Sequence, residues 1–411
     1  MIDGPTTERE DAMRYSNLKD RVGGMGDAAW EIHKRATTRA AAGEDIIVLS
    51  VGEDRGARTH DSLVQVAKDA LDSGRHHYAP LTGSPALKAA VAARHAATTG
   101  QTVDPDACCV MAGAQNCLFA SLMCVAGAGD EVIVPEPYYA TYPGVVRAGG
   151  AEMVGVACDP EEDFVVDPDR VAAAITGKTR AILLNTPNNP TGAVLPRDRV
   201  EAIAELCKRH DLWLISDEVY ADFVYDGTMT NPGALPGMAE RTATIGSLSK
   251  SHRMSGWRVG WVVSNPEMAG ILNDLACCML YGIADFVQVA ALAALADPDP
   301  AMEADRRAML ADYKARRDYV CDRLANTPGI IVRRPAAGMF AMVDVRPSGL
   351  SDFDFAARLL DEEKVGAMTG GAFGPSAEGH LRLGLVADMD TLKEACSRIE
   401  RFARKVVGER G

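Results

Sequence analysis

One lysine stands among hydroxyls in the segment GSLSKSHRMSGWRVGW, residues 246–261. Lys250 is surrounded by Ser247, Ser249 and Ser251, just after the apolar run TATI (242–245). Arg258 follows eight residues later, at the head of a second apolar run. Bulk solvation gives no reason for a lysine at a strand end in a small-residue loop. A Schiff-base lysine does, because its amine must sit in a pocket and stay partly neutral. The serine hydroxyls and the Arg258 guanidinium suit a phosphate. Taken alone, Lys250 also reads as a solvated loop residue. Asp217 ends another apolar run, in DLWLISDEVY (211–220). Ligands of open α/β sheets gather at that end of a strand. A carboxylate there can pair with a cationic nitrogen, and Tyr220 can point the same way; an aspartate capping a short helix gives the same pattern. NTPNNPTG (185–192) is a rigid turn rich in side-chain amides. In MAGAQNC (111–117), Gly113, Ala114 and Gln115 place small residues where a helix begins and where backbone N–H groups can bind an anion.

These segments need a scaffold that brings strand ends together. Apolar runs at 46–51, 107–111, 131–134, 153–157, 180–184, 212–215, 242–245 and 259–263 read as strands. Helical patterns lie between several of them: one opens at Ser84-Pro85, one follows Gly113, and one covers 198–209. Alternation of this kind predicts an α/β fold with a mostly parallel sheet flanked by helices. The pattern changes at DPDPAMEAD, after about Asp297. A long charged helix (about 301–325) follows, then strands near 329–333, 340–344 and 381–385, and helices near 352–363 and 389–407. The expected organisation is a large α/β domain over 50–297 and a smaller α+β domain from 1–49 with 298–411. The smaller one includes a helix from about Asp27 to Ala42 stopped by Gly43.

In order, the chain carries GAQ, PYYATY, NNPTG, SDEVY, SLSK, WRVGW and LRLGL. Asp217 lies 33 residues before Lys250, and Arg258 eight after it. This set resembles the class I/II aminotransferase family, fold type I pyridoxal-phosphate (PLP) enzymes, from about Met13 to about Val407. The resemblance implies that Lys250 forms the Schiff base with the cofactor and carries the proton between Cα and C4′. It implies that Asp217 pairs with the pyridinium nitrogen and that Asn189 and Tyr220 bind the ring hydroxyl oxygen. Tyr139 matches the stacking aromatic. Gly113, Ala114 and Gln115, with Ser247 and Arg258, match the phosphate cradle. Tyr78, in YAPLTGSPALK, matches the tyrosine that reaches the phosphate of a neighbouring subunit, which implies a homodimer with shared active sites. Arg382, in HLRLGL, matches the arginine that grips the substrate α-carboxylate through its planar fork, with Asn189 and Gly52 nearby. The implied activity is transfer of an amino group from an L-amino acid to a 2-oxo acid. A PLP-dependent lyase, cyclase or oxygen-dependent oxidase acting on a basic amino acid is the alternative.

One segment departs from the family. A G-x-P-D-F-x-T-P type loop is usual after the first strand, and here the chain reads VGEDRGARTH (51–60). Glu53 and Asp54 follow Gly52, and such a pair would repel a dicarboxylic substrate and attract a cationic side chain. Facing solvent, or pairing with Arg55 and Arg58, is the bland alternative. The segments RYSNLKDRVGGMGDAAWEIHKRA and LYGIADFVQ are similar to the arginine–pyruvate transaminase branch, which handles guanidino amino acids.

Composition sets the outer limits. With 43 Lys plus Arg against 57 Asp plus Glu, the net charge of −14 argues against a nucleic-acid partner. Ten cysteines without a C-x-x-C pair, and eight scattered histidines, give no metal pattern; a reduced setting fits better than disulfides. Cys277-Cys278 lie in an apolar segment and are expected in the core. The acidic start MIDGPTTERED is unlike a secretory leader, and the longest apolar run, Val289 to Ala296, is far short of the ~20 residues of a bilayer span. The chain is expected to be soluble and cytoplasmic.

Overall fold

The computed structural model describes residues 15–22, 30–53 and 56–409. Seven strands form its larger sheet: β1 (Cys108–Met111), β2 (Glu131–Glu136), β3 (Glu152–Ala157), β4 (Thr179–Asn185), β5 (Trp213–Asp217), β6 (Thr242–Ser247) and β7 (Gly260–Val263). Their order across the sheet is β1-β7-β6-β5-β4-β2-β3. Strand β7 runs antiparallel to both neighbours, and the remaining pairs are parallel. The central strands are continuous apolar runs because both faces are covered. Along β4, Ala181 and Leu183 enter one buried cluster, while Ile182 and Leu184 enter the cluster on the opposite face. Strand β5 divides in the same way at Ile215 and Leu214. Asn185 is in register with Asp217, and Asp217 with Ile245, so β4, β5 and β6 end at one edge. The connections leaving that edge carry Asn189, Tyr220 and Lys250.

A second sheet is antiparallel and four-stranded, in the order Met368–Thr369, His380–Gly384, Phe340–Asp344, Ile331–Val332. Ile47–Val48 pairs in parallel with Val365–Gly366 beside it. The helices Glu31–Ala41, Pro300–Leu324, Asp352–Glu363 and Met389–Gly408 share one core with these strands, from Ile32 to Val406, and that core also takes in Tyr220 and Phe223. The 25-residue helix starts sharply because Asp299 accepts from Ala301 N and Pro300 sits at the first helical position.

Several boundaries differ from expectation. The strands read at 46–51 and 329–333 shorten to Ile47–Val48 and Ile331–Val332. Beyond the first pair the chain stays bonded without laddering: Leu49 N donates to Gly366 O, and Gly384 N to Leu49 O. The helix expected from Asp27 is Glu31–Ala41, with 27–29 outside the described residues. The structure adds the helices Asp61–Asp72, Tyr142–Ala148, Pro168–Ala174, Pro266–Met279 and Asp285–Ala296 to those expected from the sequence. Asp285–Ala296 carries the long apolar run and is packed by neighbours on several sides, which removes the one-sided stripe that reveals a helix. Cys277 and Cys278 are exposed, against expectation. Their helix buries Met268, Ala269, Leu272 and Ala276, and the next two positions turn away from that stripe. Among the described residues, no helix is long and apolar enough to cross a membrane.

Candidate active site

Lys250 sits three residues beyond the end of β6 and lines a cavity of about 200 Å³ with Gly52, Glu53, Ser249, Ser255 and Tyr313. Its Nζ donates to Gly52 O at 2.7 Å. Burial pulls the amine down to about 8, the nearby Arg382 and Arg258 charges act the same way, and Glu53 opposes them. Desolvation penalises the charged form of an amine, so a useful fraction is neutral near neutral pH.

Asp217 ends β5 and is almost fully buried. Tyr142 donates its hydroxyl to Asp217 Oδ2 at 2.7 Å, and Val219 N donates to Oδ1 at 3.3 Å. Burial raises this carboxyl to about 6, although both hydrogen bonds favour the anion. No ion pair to Asp217 is found among the described residues, so a buried anion here calls for a cation from outside the chain. The Tyr139 ring lies edge-on to Tyr142, with centroids 5.8 Å apart. Tyr142 is a site residue that the sequence reading missed; it is the last residue of PYYATY, and only the fold shows which of the three tyrosines faces the carboxylate.

Asn189 is placed by Asn185 at the end of β4. Asn185 Nδ2 donates to Asp217 O at 3.0 Å, and Asn185 Oδ1 accepts from Asn189 N at 2.7 Å. The turn is pressed against the loop before Phe340 at Gly192, where a Cβ would meet Ala337 O at 2.4 Å. Asn189 Oδ1 thus reaches Arg382 Nη1 at 2.9 Å, while Arg382 Nη2 donates to Ser50 O at 2.8 Å. The guanidinium lies 4.1 Å from the Phe340 ring centroid and 4.6 Å from that of Phe373. Its Nε is buried without a hydrogen-bond partner among the described residues. Burial lowers this arginine to about 10. A buried guanidinium with an orphaned N–H is chemically prepared for a carboxylate. Gly52 is required for this packing, since a Cβ there would meet Phe340 Cζ at 2.3 Å. Tyr220 is buried beside the same ring, at 6.2 Å between centroids. Ser50, Phe340 and Phe373 had no motif to announce them.

The helix Ala114–Val125 opens on Gly113 at φ +81°. Asn116 and Cys117 make the first bonds to Gly113 O, so the N–H groups of Ala114 and Gln115 lie ahead of the intrahelical ladder. Arg258 crosses this end: a Cβ on Gly113 would stand 2.4 Å from its Nη2. Arg258 itself is exposed and donates to Ser255 O at 2.7 Å and Ala112 O at 3.3 Å. Gln115 Oε1 accepts from Thr141 at 3.0 Å. Ser247 is turned inward, with Oγ 2.8 Å from Val259 O and accepting from Ser249 N at 3.0 Å. Ser249 instead lines the Lys250 cavity. Tyr78 stands apart, 87% exposed, against Tyr281. Glu53 lines the cavity, and Asp54 lies outside the described residues. A buried carboxylate without a cation, an amine of lowered basicity and an anion cradle complement the ring nitrogen, carbonyl and phosphate of pyridoxal phosphate.

The family model for aminotransferase class I and II matches residues 44–399. The chain is 51% identical over 397 residues to arginine–pyruvate transaminase AruH of Pseudomonas aeruginosa, covering 97% of this chain and 100% of that one. It is 34% identical over 388 residues to the aspartate/prephenate aminotransferase of Thermus thermophilus, covering 94% and 98%. The solved structure of Thermus thermophilus aspartate aminotransferase with maleate superposes with a TM-score of 0.89 at 32% identity, over 95% of this chain and 100% of that one. Sequence, backbone and chemistry agree along nearly the whole length, and the chain belongs to the class I and II aminotransferases, pyridoxal-phosphate enzymes of fold type I.

Proposed function

We propose that the amino donor is L-arginine or another L-amino acid ending in a guanidinium, and that the acceptor is pyruvate or a similarly small 2-oxo acid. The observation that carries this is the full-length 51% identity to the Pseudomonas aeruginosa protein named an arginine–pyruvate transaminase. The carboxylate of Glu53 in the lysine cavity supports it independently.

Bound pyridoxal phosphate supplies the carbonyl that accepts the amino group and a ring that withdraws electrons from the donor Cα. The chain's residues do the rest. Arg382 takes the donor's α-carboxylate and fixes the direction of the Cα–H bond. Lys250, once its Nζ is free and neutral, accepts the Cα proton and returns it one position along. Asp217 holds a proton on the ring nitrogen by charge, and Tyr142 fixes that carboxylate in place. Asn189 and Tyr220 are assigned to the ring hydroxyl oxygen, Tyr139 to the ring face, and Gly113, Ala114, Gln115 and Arg258 to the phosphate; Ser247, expected there from the sequence, has its hydroxyl taken by the loop backbone.

The division into 50–297 and 1–49 with 298–411 is part of this reading, supported by a core that joins Ile32 to Val406. Lys250 and Arg382 then belong to different units, and the substrate lies between them. The homodimer is likewise our assignment. Tyr78, Leu280 and Tyr281 form an exposed apolar patch of the kind that subunit contact covers. Unpaired cysteines support a cytoplasmic setting.

Half-reactions test the donor. The PLP form is mixed with single amino acids, and conversion to the aminated cofactor is followed by absorbance. Arginine is expected to have the highest kcat/KM, and the aminated form is expected to return its amine to pyruvate. A clear preference for aspartate or for aromatic donors would sink the reading.

A further inference from the structure

Arg317, on the helix Pro300–Leu324, is a charged side chain that the reaction does not use. It is 1% exposed, and it is the largest of the fully buried side chains among the described residues. Its Nε and Nη2 both donate to Asp318 Oδ1, at 2.9 and 2.7 Å. Its Nη1 donates to Asp226 Oδ2 and, at 2.9 Å, to Pro335 O. The guanidinium carbon stands 5.0 Å from the Tyr225 ring centroid. A buried ion pair is a weak source of stability, and apolar side chains of similar volume often replace one without loss. An apolar side chain cannot supply a planar fork that fixes separate stretches of chain at once.

The stretches fixed here adjoin the two groups assigned to the ring hydroxyl oxygen. Pro335 opens the segment 335–338, which is bonded both to the Asn189 turn and to the chain after Tyr220. On one side, Ala337 N donates to Gly192 O at 3.0 Å, and Gly192 N donates to Asn188 O at 2.9 Å, closing the turn that carries Asn189. An added Cβ on Gly192 would meet Pro335 Cβ and Ala337 O, each at 2.4 Å, so this contact has no slack. On the other side, Val224 and Ala337 form an antiparallel bridge. Gly338 N donates to Phe223 O at 3.0 Å, and Tyr225 N to Ala336 O at 2.9 Å. The Tyr225 hydroxyl donates to Gly338 O at 2.7 Å. Phe223 N in turn donates to Tyr220 O at 2.8 Å.

We propose that Arg317 is a positioning residue for the ring-hydroxyl side of the cofactor site: by holding Pro335 and Asp226 together it fixes the segment 335–338, and that segment sets the separation of Asn189 and Tyr220. This deepens the site reading above, because it rests on the assignment of Asn189 and Tyr220 to the ring hydroxyl oxygen.

Hydrogen bonds donated to that oxygen favour its charged form. They therefore lower the pH at which the bound cofactor loses the proton shared between the oxygen and Lys250 Nζ. Absorbance of the PLP-loaded protein reads this midpoint without turnover. The test compares wild type, Tyr220→Phe, Arg317→Met, Arg317→Lys and the double variant Arg317→Met with Tyr220→Phe. Tyr220→Phe is expected to raise the midpoint by about one pH unit, and Arg317→Met by about half a unit. Arg317→Lys keeps the charge and loses the fork, so it should shift in the same direction. The double variant should shift by less than the sum of the single ones, because Arg317 acts through Tyr220. Should Arg317→Met fail to fold, Tyr225→Phe, which removes only the bond to Gly338 O, should give a smaller rise. A lowered melting temperature with an unmoved midpoint in the Arg317 variants makes the residue structural only and overturns its role. Additive shifts also overturn it, as does a wild-type midpoint in Arg317→Lys, which marks a bare charge effect. An unmoved midpoint in Tyr220→Phe overturns the assignment of Tyr220 itself, and this inference with it.

Discussion

Tyr142 and Asp217 meet through a 2.7 Å hydrogen bond in which a phenol, not a cation, is the carboxylate's side-chain partner. The carboxylate ends the central strand of a mostly parallel sheet and is buried, so in the cofactor-free protein its charge is poorly compensated.

This gives Asp217→Asn two opposite effects. Burial raises the folded carboxyl to about 6 from an ordinary 3.8. Between those values the folded state binds more protons than the unfolded one, so the group's contribution to stability is complete below the lower value and is lost as pH rises through about 6. At pH ~7.5 the cofactor-free variant should be more stable than wild type, by about 3 kcal/mol. Its turnover should fall by orders of magnitude, because an amide cannot hold the ring proton by charge. Thermal melts of the cofactor-free proteins and steady-state rates of the loaded ones check both. Equal stabilities at neutral pH would show that the buried charge has a partner.

Lys250 gives a pH dependence of opposite sign. Its folded amine is pulled down to about 8 from 10.5. Uptake of PLP by the cofactor-free protein requires the neutral amine, so its rate should rise through pH ~8 and level off above it. Lys250→Ala should bind PLP without covalent attachment and show no transamination. Borohydride reduction followed by peptide mapping reads the outcome, and a reduced lysine adduct in the variant would remove the assignment.

Arg382→Lys keeps a charge and loses the fork. The change should raise KM for both the amino and the 2-oxo substrate, at a cost of ~2–4 kcal/mol. The ring contacts of Phe340 and Phe373 fit a planar cation and give an ammonium no equivalent seat. Unchanged KM values for both substrates would place the carboxylate elsewhere.

Gly113→Ala adds one methyl group where Arg258 Nη2 stands 2.4 Å from the ideal Cβ, at a φ of +81°. The guanidinium must move away from the helix start. PLP affinity should weaken by about tenfold, while the melting temperature of the cofactor-free protein drops only slightly. Equilibrium titration with PLP measures the first effect and thermal melting the second. Wild-type affinity would mean that this helix end does not hold the phosphate.

What the sequence reveals here follows from the distance over which a residue acts. Lys250, Asp217 and Asn189 announce themselves because each sits at or just after a strand end, in a run of small or turn-forming residues, so local pattern and chemistry coincide. Phe340–Asp344 and Asp352–Glu363 are read to the residue for the same reason: each is bounded by local signals. Ser50, Phe340 and Phe373 act on Arg382 from distant parts of the chain, and nothing nearby marks them. Ser247 shows the converse. Its position beside Lys250 suggests an outward hydroxyl, yet the loop's own backbone claims that oxygen. Asp285–Ala296 has no polar face to give it a period, so its apolar run is plain while its helix is not.

The distribution of thiols has a practical consequence for spectroscopy. Seven cysteines are buried, Cys124 is half-buried, and only Cys277 and Cys278 are exposed. Burial pushes the Cys109 thiol up to about 11 and that of Cys207 to about 12, which suppresses the thiolate that alkylating dyes require. A maleimide fluorophore added to the native protein will therefore collect at one helix end. That end lies close in sequence to Tyr281, whose ring meets Tyr78 at 5.0 Å. Unmodified wild-type protein can thus be labelled beside the patch assigned to subunit contact, and energy transfer between donor- and acceptor-labelled samples would follow the exchange of subunits in real time.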